Sequence, residues 1–294
     1  MTIAVPTFNG AETLDELLAA CEAQATAFAF DLLVIDSTSA DRTPEILSSH
    51  PKVRVHRIAQ EDFGHGRTRN LAVELARGEI VAFLTQDAVP ATATWLAELV
   101  EPFRDAQVAC TYGRQIPRPS CQPVVKNDVT RWFDRLATYE NQPNAREDFE
   151  ESGPDFRAFF SNVNSAVRRS VLQGIPFREV DFAEDRALAA DILAAGGTKV
   201  YVASAAVWHS HDLALLPYYR RMKEEARALR NLGQVPRDST TSLILAALAG
   251  TARDILFVLR DPDYRAVPKL RWVLKVPAFN IARRVAIRRS RRQV

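Results

Sequence analysis

Short apolar runs alternate with helical patterns through the first part of the chain, and this alternation restricts the folds open to it. The runs are brief and rich in β-branched residues, which favours buried strands. They stand at Ile3–Val5, Leu32–Ile35, Val53–Val55, Ile80–Leu84 and Val108–Tyr112. Strands that alternate with helices predict an α/β fold with a mostly parallel central sheet and flanking helices. Ligands of such sheets bind beyond the carboxyl ends of the strands.

The pattern changes twice further along the chain. Between residues 117 and 156 it loosens, which predicts an excursion from the sheet that includes the acidic run Glu147–Glu151. A helix is predicted over Ala183–Ala195, ended by two glycines, with a strand over Lys199–Val202. Beyond Pro236 the apolar runs are interrupted by charges, so they predict a helical appendage and no membrane-spanning helix.

Composition excludes several classes of protein. Of 294 residues, 47% are hydrophobic and 25% charged, which is the balance of an ordinary globular protein. The three cysteines form no C-x-x-C pair, which argues against a disulfide framework and a cysteine zinc site. No basic and apolar leader precedes Ile3, so we expect a cytoplasmic protein. A net charge of +2 gives no reason to expect nucleic acid as a partner.

The carboxyl-terminal segment is strongly basic. Six arginines crowd the last dozen residues with no acid among them. An apolar pattern leads into them, through Leu270, Val273, Leu274, Phe279, Ile281 and Val285. This combination suits a helix lying on the inner, anionic face of the cytoplasmic membrane. A helix packed on the protein or on a second subunit is the alternative, and the sequence leaves both open.

Polar residues at the predicted strand ends are the first candidates for chemistry. Asp36 and Asp87 each follow an apolar run, Asp185 opens a helix, and His209 and His211 follow the last strand. Any one of them is ambiguous, because an acid in such a position often only caps the next helix or turn.

Five elements, in this order along the chain, together resemble the motifs of family 2 glycosyltransferases. They correspond to the opening nucleotide-binding motif, the Arg-Asn element, a reduced D-x-D metal motif, the E-D base motif and a late histidine. In this sequence they read Val5-Pro6-Thr7-Phe8-Asn9 with Asp36 to Thr43, Phe63 to Asn70, Thr85-Gln86-Asp87-Ala88, Glu184-Asp185 and Val207-Trp208-His209.

The resemblance implies a Rossmann-like A-type fold and a division of the chain. Residues 1–235 would form the catalytic domain, with a nucleotide-binding half over 1–115 and an acceptor-binding half over 116–235. Residues 236–294 would form the helical, basic extension. The residues implied to bind the nucleotide-sugar are Thr7, Asp36, His65, Arg69 and Gln86, with Asp36 accepting from the N3–H of uracil or thymine.

The resemblance also implies a metal and a general base. Asp87 and His209 would hold Mn²⁺ or Mg²⁺ on the donor diphosphate, with His211 as the alternative to His209. Asp185 would deprotonate the acceptor hydroxyl, as an inverting transfer requires. Glu184 would contact the acceptor or the donor sugar.

One departure and one subfamily resemblance refine this expectation. Thr85 replaces the first acid of the D-x-D motif, which puts tight metal binding in doubt. The Thr85 to Ala88 segment, with Gly113-Arg114-Gln115 and Ser161 to Ser165, resembles bacterial rhamnosyltransferases that use dTDP-rhamnose in surface polysaccharide synthesis. The residues then expected near the sugar and a glycan or lipid-linked acceptor are Arg114, Gln115, Asn162 and Asn164.

Three alternatives stay open at this point. The donor could be a UDP-hexose. The chain could be a catalytically silent nucleotide-sugar-binding protein, although Glu184, Asp185 and His209 argue against that. A nucleotidyltransferase is disfavoured because no glycine-rich, lysine-bearing phosphate loop stands near the N-terminus.

Overall fold

The computed structural model describes residues 1–137, 159–232 and 240–290. The chain divides into two compact units. The first comprises Met1–Ile116 and Phe133–His209, and the second comprises Pro117–Trp132 and Ser210–Val294. The acidic run Glu147–Glu151 and the boundary near Pro236 lie outside the described residues.

One sheet forms the centre of the first unit, with eight strands among the described residues. In spatial order the strands are β3, β2, β1, β4, β7, β6, β8 and β5. Their bounds are β1 Thr2–Thr7, β2 Asp31–Asp36, β3 Val53–Arg57, β4 Ile80–Leu84, β5 Val89–Pro90, β6 Val108–Ile116, β7 Asn164–Arg168 and β8 Thr198–Trp208.

The sheet is mixed, and the parallel part confirms the predicted fold class. Strands β3, β2, β1 and β4 run parallel, and so do β6 and β8. Strand β7 lies antiparallel between β4 and β6, and β5 is antiparallel to β8. Thr7 and Asp36 are register partners at the carboxyl ends of β1 and β2. The two polar side chains predicted to bind the nucleotide therefore start from the same edge of the sheet.

Helices cover this sheet through apolar faces spaced for helical packing. Leu14, Leu17, Leu18 and Cys21 of the first helix are all fully buried in the main core, as the 3.6-residue period predicts. These helices are α1 Leu14–Glu22, α2 Thr43–Ser49, α3 His65–Leu75, α4 Trp95–Val100, α6 Arg169–Gly174 and α7 Glu184–Ala194, with 3₁₀ turns at Gln60–Asp62 and Glu101–Arg104. Helix α5, Pro123–Ala137, belongs to the second unit up to Trp132 and to the first from Phe133.

Contacts between segments that are distant in the sequence explain two local features of the first unit. Thr43 is the first residue of α2, and its Oγ1 accepts a hydrogen bond from Gly10 N at 2.9 Å. Helix α3 ends at Leu75, and Gly78 follows it shortly before β4. A side chain at Gly78 would lie 2.5 Å from the Met1 backbone, so close approach of two chain segments explains this glycine.

Three helices make up most of the second unit: α8 Leu215–Asn231, α9 Thr240–Arg260 and α10 Ala266–Arg289. Tyr218, Val258, Val276 and Phe279 form their apolar core. Asp254, fully buried, accepts hydrogen bonds there from Asn127 and Asn280. Across the described residues, no helix has the length and apolar character that crossing a membrane requires.

Candidate active site

Two hydrogen-bonded polar loops follow the carboxyl ends of β1 and β2. Asp36 is buried, and its Oδ1 accepts hydrogen bonds from Ser39 Oγ at 2.5 Å and Ser39 N at 3.2 Å. Ser39 Oγ in turn accepts from Asn9 N at 2.9 Å. Asn9 and Thr38 have φ angles of 48° and 61°, so both loops turn through the left-handed region. This geometry fixes Asp36 next to Thr7.

Gln86 connects the first strand to the metal motif. Its Oε1 accepts hydrogen bonds from Thr7 Oγ1 at 2.9 Å and from Phe8 N at 2.8 Å. Its Nε2 donates to Phe8 O at 3.2 Å. The side chain therefore holds the end of β1 in place and sets the position of Asp87, its neighbour in the sequence. A direct contact of Gln86 with the nucleotide-sugar stays a prediction.

Asp87 and His209 lie together at this edge of the sheet. Asp87 Oδ2 is 3.5 Å from His209 Nε2, with Asp87 a quarter exposed and His209 buried. Gln115 Oε1 lies 3.0 Å from His209 Nδ1 and can only accept a hydrogen bond, which assigns the proton to Nδ1. Gln115 Nε2 donates to Ser161 Oγ at 3.1 Å and so fixes the amide.

The position of the proton on His209 Nδ1 bears on whether Asp87 and His209 could bind a divalent cation. In the neutral imidazole with its proton on Nδ1, the lone pair of His209 Nε2 faces a carboxylate oxygen of Asp87. Two acceptors in that position repel each other, and a bound cation would relieve the repulsion. A carboxylate, an imidazole nitrogen and an outer amide that orients the ring are the ligand chemistry of Mn²⁺ or Mg²⁺ sites. The residues present therefore fit the ion.

Asp185 stands in the first turn of α7, which begins directly after Ala183, a residue with a φ of 64°. Its Oδ2 accepts from Asn162 N at 3.3 Å, and its Oδ1 accepts from Arg186 N at 2.7 Å. Burial, followed by the charge of Glu184, raises the pKa of the Asp185 carboxyl well above its ordinary value. A carboxylate with a raised pKa is a stronger base, as proton abstraction from a hydroxyl requires.

Glu184 and Arg69 form a buried ion pair beside this carboxylate. Arg69 Nη1 lies 3.1 Å from Glu184 Oε1, and Asn162 Nδ2 donates to the same oxygen at 3.1 Å. Arg69 Nη1 also donates to His65 O at 2.8 Å. Burial lowers the pKa of His65, which keeps its ring neutral near pH 7. The predicted contacts of these residues with the donor or acceptor stay predictions; their observed partners lie within the protein.

Asn164 and Arg114 are also held by partners within the protein. Asn164 is fully buried, accepts from Trp95 Nε1 at 2.9 Å and donates to the Arg114 and Ala205 carbonyl oxygens at 3.1 and 2.7 Å. Arg114 pairs with Asp134 at 2.5 Å. Asn164 therefore joins β6, β7 and β8, and the sugar or acceptor contacts of both residues stay predictions. The sequence did not predict the hydrogen bond between Gln115 and Ser161, because no local pattern connects two residues that are 46 positions apart.

Comparison with known sequences agrees with this geometry. Residues 2–175 match the model of Glycosyl transferase family 2. The O-antigen chain rhamnosyltransferase RfbN of Salmonella typhimurium (strain LT2) is 35% identical over 216 residues, which cover 72% of this chain and 67% of that protein. The O-antigen chain rhamnosyltransferase WbaN of Salmonella anatum has the same identity over 72% of this chain. The match spans about two thirds of the length of these relatives, 66% for the second.

Comparison with solved structures shows the fold. A mannosyltransferase from Pyrobaculum calidifontis in complex with GDP-Man and Mn²⁺ superposes with a TM-score of 0.60 at 19% identity, covering 97% of this chain and 86% of that one. TarS from S. aureus in complex with UDP gives 0.52 at 17% identity, covering 100% and 91%. With an A-type α/β fold and a sequence that matches the family model over more than half its length, the chain belongs to family 2 of the glycosyltransferases.

Proposed function

We propose that the enzyme inverts configuration as it transfers L-rhamnose from dTDP-rhamnose to a glycan or lipid-linked glycan in bacterial surface polysaccharide synthesis. The observation that carries the proposal is the connection between the two halves of the site. Gln115 bonds both His209 and Ser161, and the next residue, Asn162, bonds both Glu184 and Asp185. The metal-ligand pair and the general base are thereby held at a fixed separation. The sugar itself is supported by the two rhamnosyltransferase relatives.

We assign donor binding to residues 1–115 and acceptor binding to residues 116–235, with 236–294 as a helical extension. Asp36, fixed by Ser39, would accept the N3–H of thymine or uracil, and Thr7 would line the same base pocket. Both bases present this N3–H, so Asp36 does not discriminate dTDP- from UDP-sugars. His65 and Arg69 lie on α3 and would border the donor.

Asp87 and His209 would hold Mn²⁺ or Mg²⁺, and the ion would neutralise the charge that develops on the departing nucleoside diphosphate. Asp185 would take the proton of the acceptor hydroxyl as that oxygen attacks the anomeric carbon. Burial and the negative charge of Glu184 raise the pKa of Asp185 and so strengthen the base, whereas the guanidinium of Arg69, paired with Glu184, acts in the opposite direction. Transfer in one displacement inverts the anomeric configuration. A lipid-linked acceptor would place the reaction at the cytoplasmic face of the membrane.

Thermal unfolding of the protein with a panel of donors tests the proposed sugar. With Mn²⁺ present, we expect dTDP-rhamnose to raise the Tm more than UDP-glucose, UDP-N-acetylglucosamine or GDP-mannose. A ligand at 100 times its Kd adds about 2.7 kcal/mol to the free energy of unfolding, enough to shift the Tm measurably. The Asp36→Ala variant should lose the response to every uridine or thymidine donor. A larger rise in Tm with a UDP-hexose would show that the donor is that UDP-hexose and not dTDP-rhamnose.

A further inference from the structure

The last helix of the second unit displays a row of apolar side chains on its outer face. Val267, Leu270, Leu274, Ile281 and Val285 recur every three or four residues with Ala278 between them, which places them along one side of α10. All five are exposed, and Leu274 is 74% exposed. These five residues are called the α10 stripe.

The α10 stripe is not the face by which the helix packs on its own unit. Val276, Phe279 and Ala286 point inward and are buried, with Phe279 in ring contact with Tyr218 at a centroid distance of 5.1 Å. The apolar residues that the sequence shows in this segment thus lie on two different faces of α10. Phe279 is buried in the core, whereas Leu274 is exposed. Arg283, also on the inner side, is paired with Asp128.

A second row of the same kind lies on the preceding helix. Leu245, Leu248, Leu256 and Leu259 of α9 are between 51% and 63% exposed and again follow a helical spacing. We call these four residues the α9 stripe. The two stripes together expose nine large apolar side chains on two adjacent helices. Single exposed apolar residues are normal on a protein surface, but a group of this size marks a binding site.

The charges beside the α10 stripe identify the kind of partner. Helix α10 carries no acidic residue. Arg271, Lys275, Arg288 and Arg289 are exposed on the same helix. A second copy of the chain would bring the same cations against these and would meet no acid on α10 to pair with them. An anionic bilayer satisfies both features, because lipid tails accept the leucines and headgroups accept the cations.

We propose that the α9 and α10 stripes dock the protein on an anionic lipid surface, with the helices lying in the headgroup region. Neither helix is long and apolar enough to cross the bilayer, so the attachment is peripheral. This inference rests on the proposed function in one respect, namely that a lipid-linked acceptor would give the protein a reason to lie on the membrane. Lipid binding itself requires no donor or sugar transfer, so it is measured independently of both.

Co-sedimentation of the full chain with vesicles tests the proposal. We expect binding to vesicles of phosphatidylglycerol and phosphatidylcholine, weaker binding to phosphatidylcholine alone, and a decline with added salt. The Leu270→Glu/Leu274→Glu variant should lower the partition coefficient roughly tenfold or more, because two side chains no longer enter the lipid. The matched control Val55→Glu/Val180→Glu makes the same change at exposed positions of the first unit and should bind as the unaltered protein does.

A second variant separates charge from apolar contact. Arg271→Gln/Lys275→Gln keeps the leucines and should lose on the order of tenfold in binding to anionic vesicles only. Unchanged Tm and donor response in every variant would show that folding and the active site are intact. Equal binding of the Leu270→Glu/Leu274→Glu variant would overturn the proposal. The proposal would also be overturned if the unaltered protein does not bind vesicles and is a dimer that these two substitutions convert to a monomer. The stripes would then bind a second copy of the chain.

Discussion

Replacing Asp185 by Asn is expected to lower sugar transfer by about 10²- to 10⁴-fold, the range for removal of a general base. Asparagine has nearly the same shape, and its Oδ1 can still accept a hydrogen bond from Asn162 N or Arg186 N. It cannot take a proton from the acceptor hydroxyl. Donor binding should therefore survive, and the two properties are measured by product formation and by donor-induced thermal shift.

The same variant should be at least as stable as the wild type at pH 8. The folded-state pKa of Asp185 is raised by burial and by Glu184. Ionising Asp185 in the folded protein therefore lowers the free energy of unfolding. This loss begins as the pH rises above the pKa of the unfolded state and is complete above the pKa of the folded state. Asparagine removes this cost, so the gain in Tm should shrink at acidic pH. In the wild type, the transfer rate should rise with pH as Asp185 loses its proton.

A matched control lies on the same helix. Asp191 pairs with Arg178 near the surface of α7, and Asp191→Asn makes the identical chemical change away from the proposed reacting groups. It should keep both donor binding and transfer. Full transfer by Asp185→Asn would remove Asp185 as the base, and loss of donor binding would assign it to the donor site instead.

Replacing Asp87 by Ala is expected to abolish Mn²⁺ binding and to lower transfer on the order of 10²- to 10³-fold. Asp87 is the only carboxylate in Thr85-Gln86-Asp87-Ala88, so its removal takes away the anionic ligand that this motif supplies. A chelator should have the same effect on the wild type. Calorimetric titration of Mn²⁺ into the protein, with transfer assays alongside, measures both consequences.

Gln115→Leu should weaken Mn²⁺ binding in the same way as Asp87→Ala, but to a smaller extent. Leucine leaves the Nδ1–H of His209 without its acceptor and frees the ring to turn, which should weaken Mn²⁺ binding by roughly 10- to 100-fold. Gln107→Leu, an exposed position, serves as the control. Mn²⁺ affinity unchanged in Asp87→Ala, together with transfer that resists chelation, would exclude the proposed metal pair.

The sequence predicted the places of Asp36 and Asp87 at strand ends, because these places follow from local patterns. Asp36 comes directly after an apolar run and Asp87 three residues after another, and the parallel order of β1, β2 and β4 brings such ends to one edge of the sheet. The fold class was accessible for the same reason. The family resemblance supplied the order of the elements and the expectation of a metal.

The partners of these residues could not be predicted, because they are distant in the sequence. Gln115 and His209 are 94 positions apart, and they meet only because β6 and β8 pair. Arg69 and Glu184 meet across two helices, α3 and α7. Residues expected to bind ligand, such as Asn164, have partners within the protein that the sequence did not indicate. In the second unit the periodicity predicted helices without indicating which face is exposed, so Phe279 and Leu274 looked equivalent.

The central claim is transfer with inversion by a single base, and the anomeric configuration of the product tests it most directly. Proton NMR of the glycoside formed from dTDP-rhamnose, or from the donor that the thermal panel selects, reports this configuration. We predict a new glycosidic bond of configuration opposite to that of the donor, formed by the wild type and formed far more slowly by Asp185→Asn. A product that retains the donor configuration would contradict the account, since retention cannot arise from one direct displacement by an acceptor that Asp185 deprotonates.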